Sequence, residues 1–221
     1  LFDGKFRKSV DQRTAPIGRW LVRFGFSADV LTASGLVFAC ATAWAIAVGH
    51  HHLAIILLIA TGAHDLFDGP VAKASHRASQ RGSYFDSVVD RLSDAALLGG
   101  AAYYLTAHHH GQLVLLPFAI VTMTFMISYQ RSKAESLGLH AKGGLMERAE
   151  RMILLGVALL ANQIFIPVLW LMLALTTMTA FGRFWRVWQI ADSPAPSSTR
   201  QVRTHQHTSR LRRSLNRTSR H

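Results

Sequence analysis

Two stretches of the chain, QLVLLPFAIVTMTFMISYQ (112–130) and IFIPVLWLMLALTTMTAFG (164–182), contain no charged residue. A helix needs about 20 apolar residues to cross the hydrocarbon of a bilayer, and each stretch is close to that length. A third, ADVLTASGLVFACATAWAIAVG (28–49), has a single acid at its start. Only 16% of the residues are charged, against about 25% in a typical soluble domain. The chain therefore reads as an all-α integral membrane protein whose apolar surface faces lipid. The single cysteine, Cys40, lies inside the first apolar run and can form no intrachain disulfide.

Six apolar segments can be counted, at 28–49, 53–73, 84–106, 112–133, 146–163 and 164–189. The basic residues between them alternate. Lys5, Arg7, Lys8, Arg13, Arg19 and Arg23 precede the first segment, and GHHH follows it without Lys or Arg. Lys73, Arg77 and Arg81 follow the second, and HHHG, again without either, follows the third. Arg131, Lys133, Lys142, Arg148 and Arg151 surround the start of the fifth, and ANQI separates the fifth from the sixth. Basic loops stay on the cytoplasmic side. The pattern predicts six transmembrane helices, a plasma-membrane location and both termini in the cytoplasm. Within 1–27, the stretch APIGRWLVRFGF mixes Arg19 and Arg23 with Trp20, Leu21 and Phe24, the composition of an N-terminal interfacial amphipathic helix. These first residues lack the short apolar core and cleavage site of a signal peptide. The tail 191–221 has seven arginines and almost no apolar residues. It is expected to be disordered and to lie against anionic headgroups. Nothing in it matches a nucleic-acid-binding module. The domain division expected is thus 1–27, 28–190 and 191–221.

Five of the twelve acids fall between residues 65 and 94. A charge at mid-membrane costs about 2.5–3.5 kcal/mol on insertion scales, and neighbouring acids repel one another, so something must compensate. Asp65 and Asp68 are three apart, and Asp86 and Asp90 four apart, so each pair shares a helix face. Two helices that face each other can aim all four carboxylates at one point. Hard divalent cations, Mg²⁺ above all, suit such oxygen clusters. Gly69, Ala72 and Gly82 are small and would let a ligand approach the backbone, although small residues also serve close helix packing. Pro70 is expected to kink or end the second span. Asp94 continues the four-residue spacing and reads as a buried partner for Arg91 or for another helix.

The run from Asp65 to Asp90 resembles the CDP-alcohol phosphatidyltransferase family, whose pattern is D-x2-D-G-x2-A-R-x8-G-x3-D-x3-D. Asp65, Asp68, Gly69, Ala72, Gly82, Asp86 and Asp90 all match, and Lys73 stands where the family has arginine. Lysine offers a point charge in place of a planar fork, so the grip on a pyrophosphate is expected to be weaker. The resemblance covers about residues 27–190. It implies a six-helix fold, CDP-diacylglycerol as donor, two Mg²⁺ ions (Mn²⁺ as a substitute) held by Asp65, Asp68, Asp86 and Asp90, and Asp90 as catalytic base. It also implies a homodimer. Asp29 and Thr32, in ADVLT, are similar to the family's P-[DN]-x-x-T start of the first span. They join Gly69, Ala72, Lys73 and Gly82 as candidate contacts to the CDP-lipid, although Asp29 could equally cap a helix.

A second stretch is similar to the actinobacterial phosphatidylinositol phosphate synthase branch of that family. Ser128-Tyr129-Gln130-Arg131-Ser132-Lys133-Ala134-Glu135 is followed by Gly144-Leu145-Met146-Glu147-Arg148-Ala149-Glu150-Arg151 and, later, by Arg183. This resemblance implies inositol 1-phosphate as acceptor, with Arg131, Lys133, Arg148 and Arg183 around its phosphate. Transfer to another acceptor such as glycerol 3-phosphate is the alternative within the family. A cation transporter is the alternative of another class, disfavoured because the acids sit at one end of their spans. The triple-histidine turns at His50–His52 and His108–His110 fall on the opposite membrane face and read as polar loops.

Overall fold

The computed structural model describes residues 16, 18–24, 27–74, 79–108, 112–139 and 144–192, without the side chains of Asp68, Ala72 and Lys73. Lys142, His109, His110 and the tail from 193 onward lie outside the described residues. The described residues are all helical or turn, with six helices: α1 Ala28–Ala47, α2 His51–Ala74, α3 Gln80–His108, α4 Leu115–Ser136, α5 Arg148–Leu159 and α6 Asn162–Ala191. A single 3₁₀ turn, Gln112–Val114, leads into α4. Residues 18–23 form a short helical stretch before α1.

Four stretches are long and apolar enough to cross a membrane: Ala28–Ala47, His51–Val71, Gln112–Ser136 and Asn162–Ala191. Large apolar side chains such as Val37, Ile59, Phe118 and Phe181 are exposed on the outer surfaces of these helices. A helix apolar all round belongs in a membrane or a large core, and this bundle is too small to supply the latter. The protein is a membrane protein. The third and fifth helices depart from the simple apolar pattern. α3 has 29 residues but carries Asp86, Asp90, Arg91 and Asp94. α5 has only 12 residues, shorter than the segment expected over 146–163.

The helices pack as a closed ring. Among the described residues α1 touches α2 and α3, α3 touches α4, α4 touches α6, α6 touches α5, and α5 returns to α2. The acid-bearing helices α2 and α3 therefore flank α1, one on each side. One end is filled by the main apolar core, including Ile46, Leu58, Leu105, Leu159 and Phe165. His51, stacked on Phe165, closes it. The other end gathers the C-terminal parts of α2, α4 and α6 with the N-terminal parts of α1, α3 and α5.

Turn chemistry explains the helix ends. Ser27 caps α1, its Oγ accepting the Val30 N–H at 3.2 Å. The cap considered for Asp29 thus belongs to Ser27, and Asp29 occupies the exposed first turn, where an acid complements the helix dipole. Gly49 takes a left-handed φ of 78° between α1 and α2, and Gly138 one of 74° just past α4. Glycine carries no Cβ penalty there. Pro70 was expected to kink or end α2, but the helix continues through it to Ala74. Proline inside a helix is tolerated where neighbours compensate for the lost hydrogen bond. Pro70 is buried, and a Cβ placed on Gly18 would lie 2.8 Å from its carbonyl carbon, so the 18–23 stretch crosses directly over it.

Candidate active site

Asp65 comes from α2, Asp86 and Asp90 from α3, and all three are partly buried at the same end of the ring. Arg148, the first residue of α5, joins the two helices. Its Nε donates to Asp65 Oδ2 at 2.7 Å and its Nη2 to Asp65 Oδ1 at 3.2 Å. Its Nη1 lies 2.7 Å from Asp90 Oδ1. All three nitrogens of one guanidinium thus engage two carboxylates from different helices, which a lysine could not do. Asp86, one turn before Asp90, is close enough to act electrostatically on both Asp65 and Asp90. The side chain of Asp68 is outside the described residues, though its helical backbone position is one turn after Asp65.

Carboxylates suit a divalent cation, and Asp65 and Asp90 from two helices share one guanidinium. Among the described residues no three acids or histidines lie close enough to hold an ion; Asp68, whose side chain is not described, is the remaining donor of the motif. Gly69 is exposed, and a Cβ added to it meets nothing within 4 Å. No packing partner requires that glycine, so the space beside the acids is open. Gly82 lies near Asp29: its Cβ would come 3.5 Å from Asp29 Oδ1. Thr32 is buried, and its hydroxyl donates to the Ala28 carbonyl at 3.0 Å.

Beside the acids is a cavity of about 150 Å³ whose charged lining is Arg91, Arg131, Arg148, Arg151 and Arg183 with Asp90, Asp94 and Glu147. Arg183 is buried on α6, and its Nη1 donates to the Ile127 carbonyl of α4 at 2.9 Å. Arg151 is buried on α5, and its Nη2 meets Asp94 of α3 at 2.6 Å. Its Nη1 donates to the Met146 carbonyl at 3.3 Å. The Met146 N–H in turn donates to Thr179 Oγ1 at 3.2 Å, which ties the segment before α5 to α6. Arg131 is more exposed and donates to Glu135 at 3.0 Å.

Of the four cations expected around an acceptor phosphate, the structure brings Arg131, Arg148 and Arg183 to this cavity. Lys133 is exposed on α4 and is not among its lining residues. Residues two apart on a helix point to different faces, so Arg131 and Lys133 cannot both face inward. Arg151 and Glu147 line the cavity and were not among the expected site residues. The signal was present, since Arg148 and Arg151 are three apart and share a face.

The CDP-alcohol phosphatidyltransferase family model matches residues 26–185. The chain belongs to that family. Its members are transferases, and the acids and the cavity described above fall within the matched span, as do all of α1 to α5 and most of α6. The archaetidylinositol phosphate synthase of Methanothermobacter thermautotrophicus is 36% identical over 163 residues, covering 73% of this chain and 80% of that one. The phosphatidylinositol phosphate synthase of Mycobacterium tuberculosis is 29% identical over 185 residues, covering 79% and 85%. A crystal structure of the Mycobacterium tuberculosis enzyme with CDP-DAG bound superposes with a TM-score of 0.72 at 26% identity, covering 79% of this chain and 93% of that one. The same enzyme in complex with manganese and citrate gives 0.71 at 27% identity. Together these support a divalent cation as cofactor and decide against the transporter alternative.

Proposed function

We propose that the protein transfers the phosphatidyl group of CDP-diacylglycerol to inositol 1-phosphate, releasing CMP and phosphatidylinositol phosphate. One observation carries this reading: Asp90, held with Asp65 by Arg148, also borders a cavity lined by five arginines. Arginine clusters suit phosphate, so an acceptor anchored there by its phosphate presents a hydroxyl to Asp90. Relatives named for different lipids, archaetidyl and phosphatidyl, share inositol phosphate in their names, which favours the same acceptor here.

Asp90 takes the proton of the acceptor hydroxyl. The hydroxyl oxygen forms a bond to the β-phosphorus, and the bond from that phosphorus to the CMP oxygen breaks. Asp65, Asp68, Asp86 and Asp90 would hold two Mg²⁺ ions, which supply charge neutralisation at the phosphoryl oxygens. Asp29, Thr32, Gly69, Ala72, Lys73 and Gly82 surround the CDP moiety, with Gly69 leaving room for it. Arg131, Arg148, Arg151 and Arg183 bind the acceptor phosphate, and Lys133 anchors the membrane surface.

The chain crosses the plasma membrane six times, α3 beside the four more apolar stretches and α5, too short at 12 residues to cross alone, together with its flanking residues. The site and both termini face the cytoplasm, as the alternation of basic loops supports. The 18–23 stretch lies at the interface, with Trp20 and Phe24 exposed, and the protein works as a homodimer. The test is CMP release by purified protein given CDP-diacylglycerol and a panel of inositol 1-phosphate, inositol and glycerol 3-phosphate. Inositol 1-phosphate alone should support turnover, and Asp90→Asn should abolish it. Turnover with glycerol 3-phosphate instead would overturn the acceptor assignment.

A further inference from the structure

Arg148 has two homes in one structure. Its guanidinium spans Asp65 and Asp90, and the same side chain lines the arginine cavity. We propose that Arg148 is an exchangeable counter-ion: it neutralises the acids before metal loading, then turns into the cavity to bind the acceptor phosphate, so that metal and acceptor favour each other's binding. This rests on the reading of the site as a metal-dependent phosphatidyltransferase.

The geometry makes the two states compete. Both oxygens of Asp65 and one of Asp90 are engaged by Arg148. A dication bound by those oxygens would stand beside a guanidinium and repel it. The cavity is a poor refuge on its own. Besides Arg148 it is lined by Arg91, Arg131, Arg151 and Arg183 against Asp90, Asp94 and Glu147, so cations there already outnumber acids and a guanidinium turned away from Asp65 adds like charge. A phosphate in the cavity reverses that balance. Arg148 also opens α5, and a helix N-terminus disfavours a cation. Its position there is sustained by an anion, either the acids or the phosphate. No backbone movement is needed, because rotation of a long side chain carries the charge from one neighbour to the other.

Mn²⁺ binding, followed by electron paramagnetic resonance on the intact protein in lipid nanodiscs, tests this without turnover. Inositol 1-phosphate should tighten Mn²⁺ binding to the wild type by about tenfold, within the range usual for coupled sites, and inositol without phosphate should not. Arg148→Gln should bind Mn²⁺ about tenfold tighter than the wild type even without acceptor, since it removes a competing cation. It should also bind inositol 1-phosphate more weakly, and the coupling should vanish. A merely structural role predicts weaker binding of both. If Arg148→Gln does not fold, Arg148→Lys takes its place: it cannot bridge both acids, so Mn²⁺ binding should still tighten while part of the coupling survives. Unchanged or weaker Mn²⁺ binding in the folded variant, or coupling retained in full, overturns the exchange and leaves the transferase reading standing. A wild type that binds no Mn²⁺ overturns the metal-dependent reading itself.

Discussion

Arg151 on α5 and Asp94 on α3 form an ion pair of 2.6 Å in which each side chain is only 8% exposed. The two helices are not neighbours in the ring, so this contact ties the bundle together across its centre, in the wall of the arginine cavity. Removing one partner leaves a buried charge uncompensated, which costs about 3–5 kcal/mol. Asp94→Ala should therefore lower the thermal unfolding midpoint sharply in detergent. Asp94→Ala combined with Arg151→Met should recover a large part of that loss, because no lone charge remains. Unfolding measured for the two single variants and the double variant checks this, and additive losses would show that the two side chains do not act as a pair.

Gly100 on α3 meets the backbone of α1 directly. A Cβ there would lie 2.3 Å from the Ala43 carbonyl oxygen, a rigid backbone atom. Gly100→Ala must push the two helices apart. Overpacking of this kind costs about 1–3 kcal/mol, despite alanine's better helix propensity. The expected result is a lower unfolding midpoint with turnover falling in parallel at raised temperature. Because Gly100 is far along α3 from the acids, metal affinity of the protein that remains folded should be nearly unchanged.

Much of this arrangement could be read from the chain. Uncharged apolar runs implied an all-helical membrane protein, and the described helices include four stretches long and apolar enough to cross a membrane. The three- and four-residue spacings of the aspartates implied one shared face per helix, and Asp65 of α2 and Asp90 of α3 are both reached by the guanidinium of Arg148. Asp94 was read as a buried partner for Arg91 or another helix, and its partner proves to be Arg151 of α5. What sequence could not supply was which cation meets which acid. That depends on ring closure, which brings α5 between α2 and α6 so that Arg148 reaches Asp65 and Asp90 from residues far away in the chain. Pro70 shows the same limit: a local rule predicts a kink or an end, the helix does not end there, and the tight crossing of Gly18 over the buried proline is a tertiary contact.

Gly69 offers the opposite case to Gly100. Its added Cβ would meet no protein atom within 4 Å, and alanine is favoured over glycine in a helix by up to about 1 kcal/mol. Gly69→Ala should leave stability equal or slightly raised. If the open space receives the CDP-lipid, the same methyl group should raise KM for CDP-diacylglycerol by about tenfold or more, the loss expected when about 1.4 kcal/mol of binding is removed. Parallel unfolding and initial-rate measurements separate the two effects. Unchanged KM would place the donor elsewhere.

Arg183 and Lys133 separate the cavity from the general basic surface. Arg183 is buried, donates to the Ile127 carbonyl at 2.9 Å and lines the cavity. Lys133 is exposed and lies outside it. A hydrogen bond to a charged group is worth about 1.5–3 kcal/mol, so loss of Arg183 from a phosphate should raise KM for inositol 1-phosphate by roughly tenfold to a hundredfold. Arg183→Lys is the better variant, since it keeps a charge while losing the planar fork that reaches both the carbonyl and a phosphate oxygen. Lys133→Ala should change that KM less than twofold, as expected for an exposed charge screened by solvent. Initial rates against inositol 1-phosphate at saturating CDP-diacylglycerol give both values. Equal effects of the two substitutions would mean that the arginine cavity is not where the acceptor phosphate sits.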